Sequence, residues 1–302
     1  MASINSGTGK SIKIFQIDAF TDKPFGGNPA GVAFGDNLSK EDMQSIAREM
    51  NLAETAFLSP PSDTLAMEGK ADYNLRWFTP TMEVDLCGHA TIASLHFLNE
   101  NGLLKNNSVI KFDTLSGILK CRIENGKYFM QIPLYKLIEY SEQKPDILES
   151  LGLTENALDP AVPFIMLENG YLYIYVKKLS TLRELKPNFK ELLRLQLQLN
   201  FGGAVVFTLE TIDKGSFAHL RFFAPFFGID EDPVTGSANG PLITVLNKLS
   251  FIKIGNEEIN LTFEQGDIIN RRGRVGVKFI PAINELYISG NAVTVLKGEM
   301  FH

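Results

Sequence analysis

The chain repeats itself once, and the repeat limits the fold more than any single motif does. "RWFTPTMEVDLCGHAT", beginning at Arg76, returns as "RFFAPFFGIDEDPVTG", beginning at Arg221, 145 residues later in a chain of 302. At that offset Trp77 matches Phe222, Phe78 matches Phe223, Pro80 matches Pro225, Val84 matches Ile229 and Asp85 matches Asp230. Cys87 then falls on Asp232. Each copy continues into small and apolar residues that suit a helix, "ATIASLHFLN" and "SANGPLITVLN", with a small insertion in the second. Self-similarity at a fixed long period marks a repeated architecture. It predicts two related halves, in line with the two domains that the length allows. The expected division is a disordered leader over 1–10, an N-terminal half over 11–133 with about 291–302, and a C-terminal half over 134–290.

Each copy offers a strand, a turn and a helix start, with "CGHAT" in the first turn and "DPVTGSA" in the second. Glycine lets a ligand approach the backbone, and free N–H groups at a helix start attract anions. Gly88 and Gly236 are therefore expected to face a cleft between the halves and to hold a small carboxylate there.

The remaining elements point to an α+β chain in which strands predominate. "SIKIFQIDAF", "NLAETAFL" and "YLYIYV" read as strands. "ILKCRIENGKYFMQI" reads as a hairpin turned at Asn125-Gly126. "LSKEDMQSIAREMN" reads as a helix capped by Ser39, with Asp42 at its third position and Met43, Ile46, Ala47 and Met50 on the buried stripe. "NFKELLRLQLQL" is a second amphipathic helix, and "INLTFEQGDIINRRGRVGVKFI" and "ELYISGNAVTVLKGEM" are further strands. Trp77, Phe222 and Phe223 are expected in the core, and Cys121 reads as a small core or surface hydrophobe rather than a functional thiol.

Composition excludes several functions. With 29 basic and 35 acidic residues the net charge is −6, which gives no electrostatic grip on nucleic acid or on an anionic membrane. Arg271, Arg272 and Arg274 form the one basic cluster, read as a solvated loop. Two cysteines make no disulfide framework and fit a reducing, cytoplasmic setting. No apolar run is long enough to span a membrane, and "MASINSGTGK" lacks the apolar stretch of a secretory signal. The sequons at Asn106 and Asn260 are then chance matches. "SGTGKS" imitates the end of a phosphate-binding loop, but Ile4 stands where that motif needs glycine.

Read alone, the residues around the turns keep two meanings each. Cys87 and His89 could be a thiol–imidazole pair, part of a metal site, or neither, although no His/Cys/Asp set has metal-ligand spacing. Glu54 sits among apolar residues, where lost solvation raises a carboxyl pKa and suits acid/base work, or it is a strand-end residue reaching water. On alternation it shares a face with Leu52, Ala56 and Leu58. Asp232 can cap the second helix, with Pro233 in its first turn. Ser237 can contact a ligand or serve its helix. Asn28, in "GGNPAG", reads as a turn-former or a substrate contact. His96 reads as structural filling, and His219 and His302 carry no motif.

Four ordered stretches, "DAFTDKPFGGNPAGV", "IAREMNLAETAFL", "LRWFTPTMEVDLCGHAT" and "FFAPFFGIDEDPVTGSA", resemble the phenazine-biosynthesis isomerase (PhzF-like) family, which shares the diaminopimelate epimerase fold. They span most of the chain from Asp18 to Ala238. The resemblance implies two pseudo-symmetric halves, each a curved sheet around a central helix, with the substrate between them. It implies an isomerase that needs no cofactor and acts on a small carboxylate-bearing metabolite, and it is compatible with a homodimer. The acid/base residue it implies is Glu54 of the "NL-x-ET" motif, with His89 and Asp232 assisting. Cys87, Gly88, Gly236, Ser237 and Asn28 are the expected substrate contacts. The epimerase relatives use a cysteine from each half, whereas here the second position is expected at Asp232. Ala53 replaces a frequent serine before the glutamate. The alternatives are a binding protein that keeps the fold without the chemistry, and a hydrolase built on Cys87, the latter disfavoured because Cys87 and His89 are expected to point apart with no third member to orient them.

Overall fold

The computed structural model describes residues 10–302; the leader expected over 1–10 lies outside this range except for Lys10, whose carbonyl accepts the His302 N–H at 2.9 Å. The first run of strands is β1 (Ser11–Ala19), β2 (Asn28–Phe34), β3 (Glu54–Ser59), β4 (Tyr73–Phe78), β5 (Glu83–Val84), β6 (Val109–Thr114), β7 (Gly117–Glu124) and β8 (Lys127–Ile132). It carries the helices α1 (Lys40–Met50), α2 (Asp63–Met67) and α3 (Gly88–Glu100). The second run is β9 (Leu137–Tyr140), β10 (Phe164–Leu167), β11 (Tyr171–Tyr175), β12 (Gly203–Thr208), β13 (Ala218–Ala224), β14 (Ile229–Asp232), β15 (Ile259–Gln265), β16 (Gly273–Ile280) and β17 (Glu285–Gly290). Its helices are α4 (Lys144–Leu151), α5 (Leu179–Glu184), α6 (Phe189–Leu199) and α7 (Gly236–Lys248). β18 (Ala292–Phe301) returns to pair with β1.

The same sequence of pairings occurs in both runs. β2 pairs β3 in parallel, as β11 pairs β12. β3 meets β4 antiparallel, as β12 meets β13. β4 holds the short β5 and runs parallel to β6, as β13 holds β14 and runs parallel to β15. Two antiparallel steps finish each run, β6–β7–β8 and β15–β16–β17. β8 and β17 then pair with each other and join the runs into one large mixed sheet.

Strand register corrects the alignment of the repeat. Trp77 and Phe78 lie opposite Val84 and Glu83, whereas Phe222 and Phe223 lie opposite Asp232 and Glu231. The second hairpin therefore holds three more residues than the first, taken up by a 3₁₀ turn at Pro225–Phe227 and a bulge beside Ala224. From that point the offset is 148. Cys87 and Thr235 are the N-caps of α3 and α7, each helix has 13 residues, and each begins with glycine. The counterpart of Cys87 is thus Thr235, and Asp232 corresponds to Val84. A hairpin loop accepts such an insertion cheaply, and a comparison at constant offset does not detect it.

Local chemistry accounts for the other elements. Ser39 caps α1 and forms a capping box with Asp42. Asn188 caps α6 through the Glu191 N–H. Asn125 and Gly126 take positive φ between β7 and β8, as the hairpin turn requires. α3 is apolar on all sides, and Ala90, Ile92, Ala93, Leu95 and Leu98 are fully buried, which marks a central helix rather than a surface one. The main core surrounds α3 and α7; smaller cores lie under α1 and under α4–α6. Trp77, Phe222 and Phe223 are buried as expected, and of the two settings open to Cys121 the core is the one observed. The strand expected from Asn51 begins at Glu54, because Asn51 ends α1 in the left-handed conformation and Leu52 and Ala53 form the bend. The arginine cluster is a set of ion pairs instead of a solvated loop: Arg271 binds Asp18, Arg272 binds Asp213, and Arg274 binds Asp213 and Asp267. No described helix is long and apolar enough to cross a membrane.

Candidate active site

Glu54 opens β3, and its strand face is shared by Ala56 and Leu58 of the core around α3. The side chain is thereby aimed at the start of α3. His89, the second residue of α3, presents Nε2 to Glu54 Oε2 at 3.3 Å. Neither atom has a hydrogen-bond partner. The opposite ring nitrogen, Nδ1, lies 3.6 Å from Cys87 Sγ. Cys87 and His89 thus meet, contrary to the expectation that they point apart, and Glu54 faces the far side of the imidazole.

Burial decides the charge states. It raises the Glu54 carboxyl to about 8, with the Asp232 carboxylate adding to the effect and a Cys87 hydrogen bond opposing it. Burial lowers His89 to about 3, so the imidazole is neutral. The Cys87 thiol is pushed well up, first by burial and then by the charge of Glu54. A neutral imidazole beside a mostly protonated carboxyl and a protonated thiol is not an ion pair. Glu54, Cys87 and His89 are also metal-ligand types whose donor atoms lie within 4.8 Å of one another, a cluster that linear spacing does not show.

The other wall comes from the second run. Asp232 ends β14, buried, with Oδ1 accepting from Asn28 Nδ2 at 2.8 Å and Oδ2 accepting from the Thr235 hydroxyl. Burial raises its pKa, and these two hydrogen bonds oppose the rise. The cap of α7 is Thr235, not Asp232, and Pro233 precedes the helix. Asn28 is the first residue of β2 and no turn-former; its amide also donates to the Val234 carbonyl at 2.9 Å, which ties the two runs together. Its own oxygen is buried without a partner. Asn28→Ala is expected to lower stability by about 1–3 kcal/mol, because two buried acceptors lose their donor; chemical denaturation measures this.

The two helix starts do not face each other across open space. They touch. A methyl group on Gly88 would stand 3.4 Å from Gly236 Cα, and one on Gly236 would stand 2.4 Å from Ile288 Cδ1. The positive ends of two helix dipoles are therefore brought to one point.

Several residues gave no signal in the sequence. Gln265 is buried and accepts from the Thr235 N–H at 2.9 Å while donating to the Asp232 carbonyl at 2.9 Å, so it locks the start of α7. Tyr171 meets Ser237 Oγ at 3.3 Å, and Tyr173 donates to the Ala238 carbonyl at 2.8 Å. Burial pushes the Tyr171 hydroxyl up to about 12, and the charges of Asp232 and Glu54 contribute. The alternation in "YLYIYV" already puts Tyr171 and Tyr173 on one face; only the fold shows that the face meets α7. His96 is structural, held by Tyr128 and Thr294 at 3.1 and 3.2 Å.

A sheet of this topology around two central helices is a fold shared with known epimerases. A hydroxyproline epimerase from Agrobacterium vitis superposes with TM-score 0.58 at 13% identity, covering 96% of this chain and 92% of that one. The profile of the phenazine biosynthesis-like protein family (PhzC-PhzF) matches residues 17–298, and the chain belongs to that family. A Bacillus anthracis protein of the PhzF family superposes with TM-score 0.88 at 32% identity, over 97% of this chain and all of that one. A Clostridium acetobutylicum protein named as an uncharacterized isomerase is 37% identical, over 96% of this chain and 98% of its own. The human phenazine biosynthesis-like domain-containing protein is 35% identical, over 96% of this chain and 99% of its own.

Proposed function

We propose that this protein is a cofactor-independent isomerase that moves a proton between two carbons of a small carboxylate-bearing substrate. The carrying observation is that the buried Glu54 carboxyl beside His89 has no carboxyl at the matching position of the second run. Glu54 pairs with Ala30 across β2–β3, and the matching pair in the second run is Tyr171 with Gly203. Gly203 has no side chain, and a Cβ there would stand 2.3 Å from the Phe222 ring. A racemase that takes a proton from one face and returns it to the other needs a group on each. A single group returns the proton to the face it came from, and net chemistry follows when it goes to a different carbon.

In this reading ionised Glu54 removes a proton from an allylic or α-acidic carbon. The C–H electron pair moves into the adjoining π system, and Glu54 delivers the same proton to its far end. His89 donates to or accepts from the developing charge as a neutral group. Asp232, with both oxygens engaged, orients the substrate and keeps the Glu54 pKa high. The starts of α3 and α7 at Gly88 and Gly236 hold the carboxylate, each worth about 0.3–1 kcal/mol and more where buried. Cys87, Ser237 and Asn28 complete the contacts. The repeated order of strand pairings supports an internal duplication.

A thermal-shift screen of small carboxylic acids identifies ligands. Incubation of those ligands in D₂O then reads proton exchange by mass spectrometry. Label uptake or isomer formation that disappears in Glu54→Gln supports the reading. Binding without exchange or isomer formation in either protein refutes it and leaves a binding protein. Cys87→Ala is expected to retain activity within about tenfold, since a thiol held protonated is a poor nucleophile. Complete loss of turnover in a folded Cys87→Ala protein would restore the thiol-based hydrolase.

A further inference from the structure

A cavity of about 530 Å³ lies between the segment Phe20–Gly26 and the strands β16 and β17. None of Glu54, Cys87, His89 and Asp232 lines it. We propose that it is a second ligand site, for a small polyanion such as a phosphorylated metabolite.

Charge is the first ground. Lys23, Lys127, Arg272 and Arg274 line the cavity against one acidic lining residue, Asp22, on a chain whose net charge is −6. Arg272 and Arg274 are neutralised by Asp213, at 2.6 and 2.7 Å, and by Asp267, at 3.8 and 2.8 Å, and Arg274 also by Glu264 at 3.6 Å. Lys23 and Lys127 form no ion pair among the described residues. The arginines are thus held in place by their acids, and two uncommitted cations remain for a ligand. The size suits one: small-molecule sites are commonly about 300–1,000 Å³.

Construction is the second ground. Phe20 N–H donates to the Asn291 carbonyl at 2.8 Å, Gly27 N–H to the Arg272 carbonyl at 2.9 Å, and Arg274 N–H to the Phe20 carbonyl at 2.9 Å. The rim is therefore stitched to the strands behind it. Phe20 and Phe25 both have positive φ, 64° and 68°, a conformation that bulky residues avoid unless the surroundings enforce it. The enforcing contact at Phe25 is Asp18, which accepts its N–H at 2.7 Å and is itself held by Arg271 at 2.8 Å. The result is an aromatic ring 75% exposed in the lining of the cavity. Gly276 and Gly290 also line it, and Thr262 and Ser289 give it polar atoms.

The cavity adjoins the site described above through one residue. The Phe20 ring lies 3.5 Å from where a Gly236 Cβ would stand and 2.6 Å from where a Gly290 Cβ would stand. It forms the partition between the anion cavity and the meeting point of the two helices.

The test is isothermal titration with inorganic pyrophosphate and, separately, ADP, at about 50 and about 500 mM salt. Wild type is expected to bind at least one probe saturably at one site, and the higher salt to weaken it. The double variant Lys23→Ala/Lys127→Ala, at exposed positions with no ion pairs to lose, is expected to bind about tenfold or more weakly. Lys23→Arg/Lys127→Arg is expected to restore binding, and Glu54→Gln to leave it unchanged. Absence of saturable binding of both probes, equal affinity in the double alanine variant, or loss of binding in Glu54→Gln overturns the proposal.

Discussion

Glu54→Gln is expected to abolish most of the turnover, by about 10²–10⁴-fold, the usual contribution of a positioned acid/base group. The same substitution is expected to stabilise the protein at pH 8. The folded pKa of Glu54, about 8, lies above its ordinary value of 4.5. Below pH 4.5 both folded and unfolded chains hold the proton, and the residue contributes nothing. Between 4.5 and 8 the unfolded chain ionises while the folded one still holds its proton, so stability falls as pH rises. Glutamine removes that loss. A gain of about 1–3 kcal/mol is expected at pH 8, discounting the full shift for relaxation and for the 15% of the side chain that stays exposed. Little gain is expected at pH 5. Denaturant midpoints at the two pH values measure the difference, and an equal effect at both would place Glu54 in a solvated environment. In the proposed reaction the proton-removing form is the ionised carboxylate, so wild-type kcat/KM should climb about tenfold per pH unit and level off above pH 8.

Arg221→Ala is expected to cost about 3–5 kcal/mol, the range for breaking a buried ion pair from one side. Arg221 is buried and forks onto Glu231 at 2.8 and 2.7 Å. Its remaining nitrogen donates to the Leu182 and Leu185 carbonyls at 3.0 and 3.1 Å, and the guanidinium lies over the Phe223 ring. Removal strands one carboxylate and two carbonyls in the core. The counterpart Arg76 makes the same fork onto Glu83, at 2.6 and 2.9 Å, but is 24% exposed, and Lys40 also holds Glu83. Arg76→Ala should therefore cost about 1 kcal/mol. Urea unfolding of the two variants checks the asymmetry. Because Glu231 precedes Asp232, Arg221→Ala should also disturb the candidate site, whereas Arg76→Ala should leave it nearly intact.

The repeat that begins at these two arginines was legible because hydrophobic and turn residues recur in order, and the strand, hairpin and cap signals around it are local. Ser39 with Asp42, Asn125 with Gly126, and the all-apolar α3 state their structure within a few residues of chain. The candidates Glu54, His89 and Asp232 were legible through motif resemblance. Their arrangement was not. The three-residue insertion in the second hairpin became visible only through strand register, and it moved the partner of Cys87 from Asp232 to Thr235. Gln265, Tyr171 and the ion pairs of Arg271, Arg272 and Arg274 join segments tens to hundreds of residues apart, and no local pattern encodes such contacts.

By itself, then, the sequence determined the elements, the two-fold repetition and the residue types available at each turn, because these follow from short-range periodicity and backbone preference. Only the tertiary structure decided that the two helix starts touch, that Glu54 meets His89 and stands without a counterpart at Gly203, and that burial sets their protons. Desolvation and proximity belong to residues brought together in space, and their sign and size depend on what the rest of the chain packs around them.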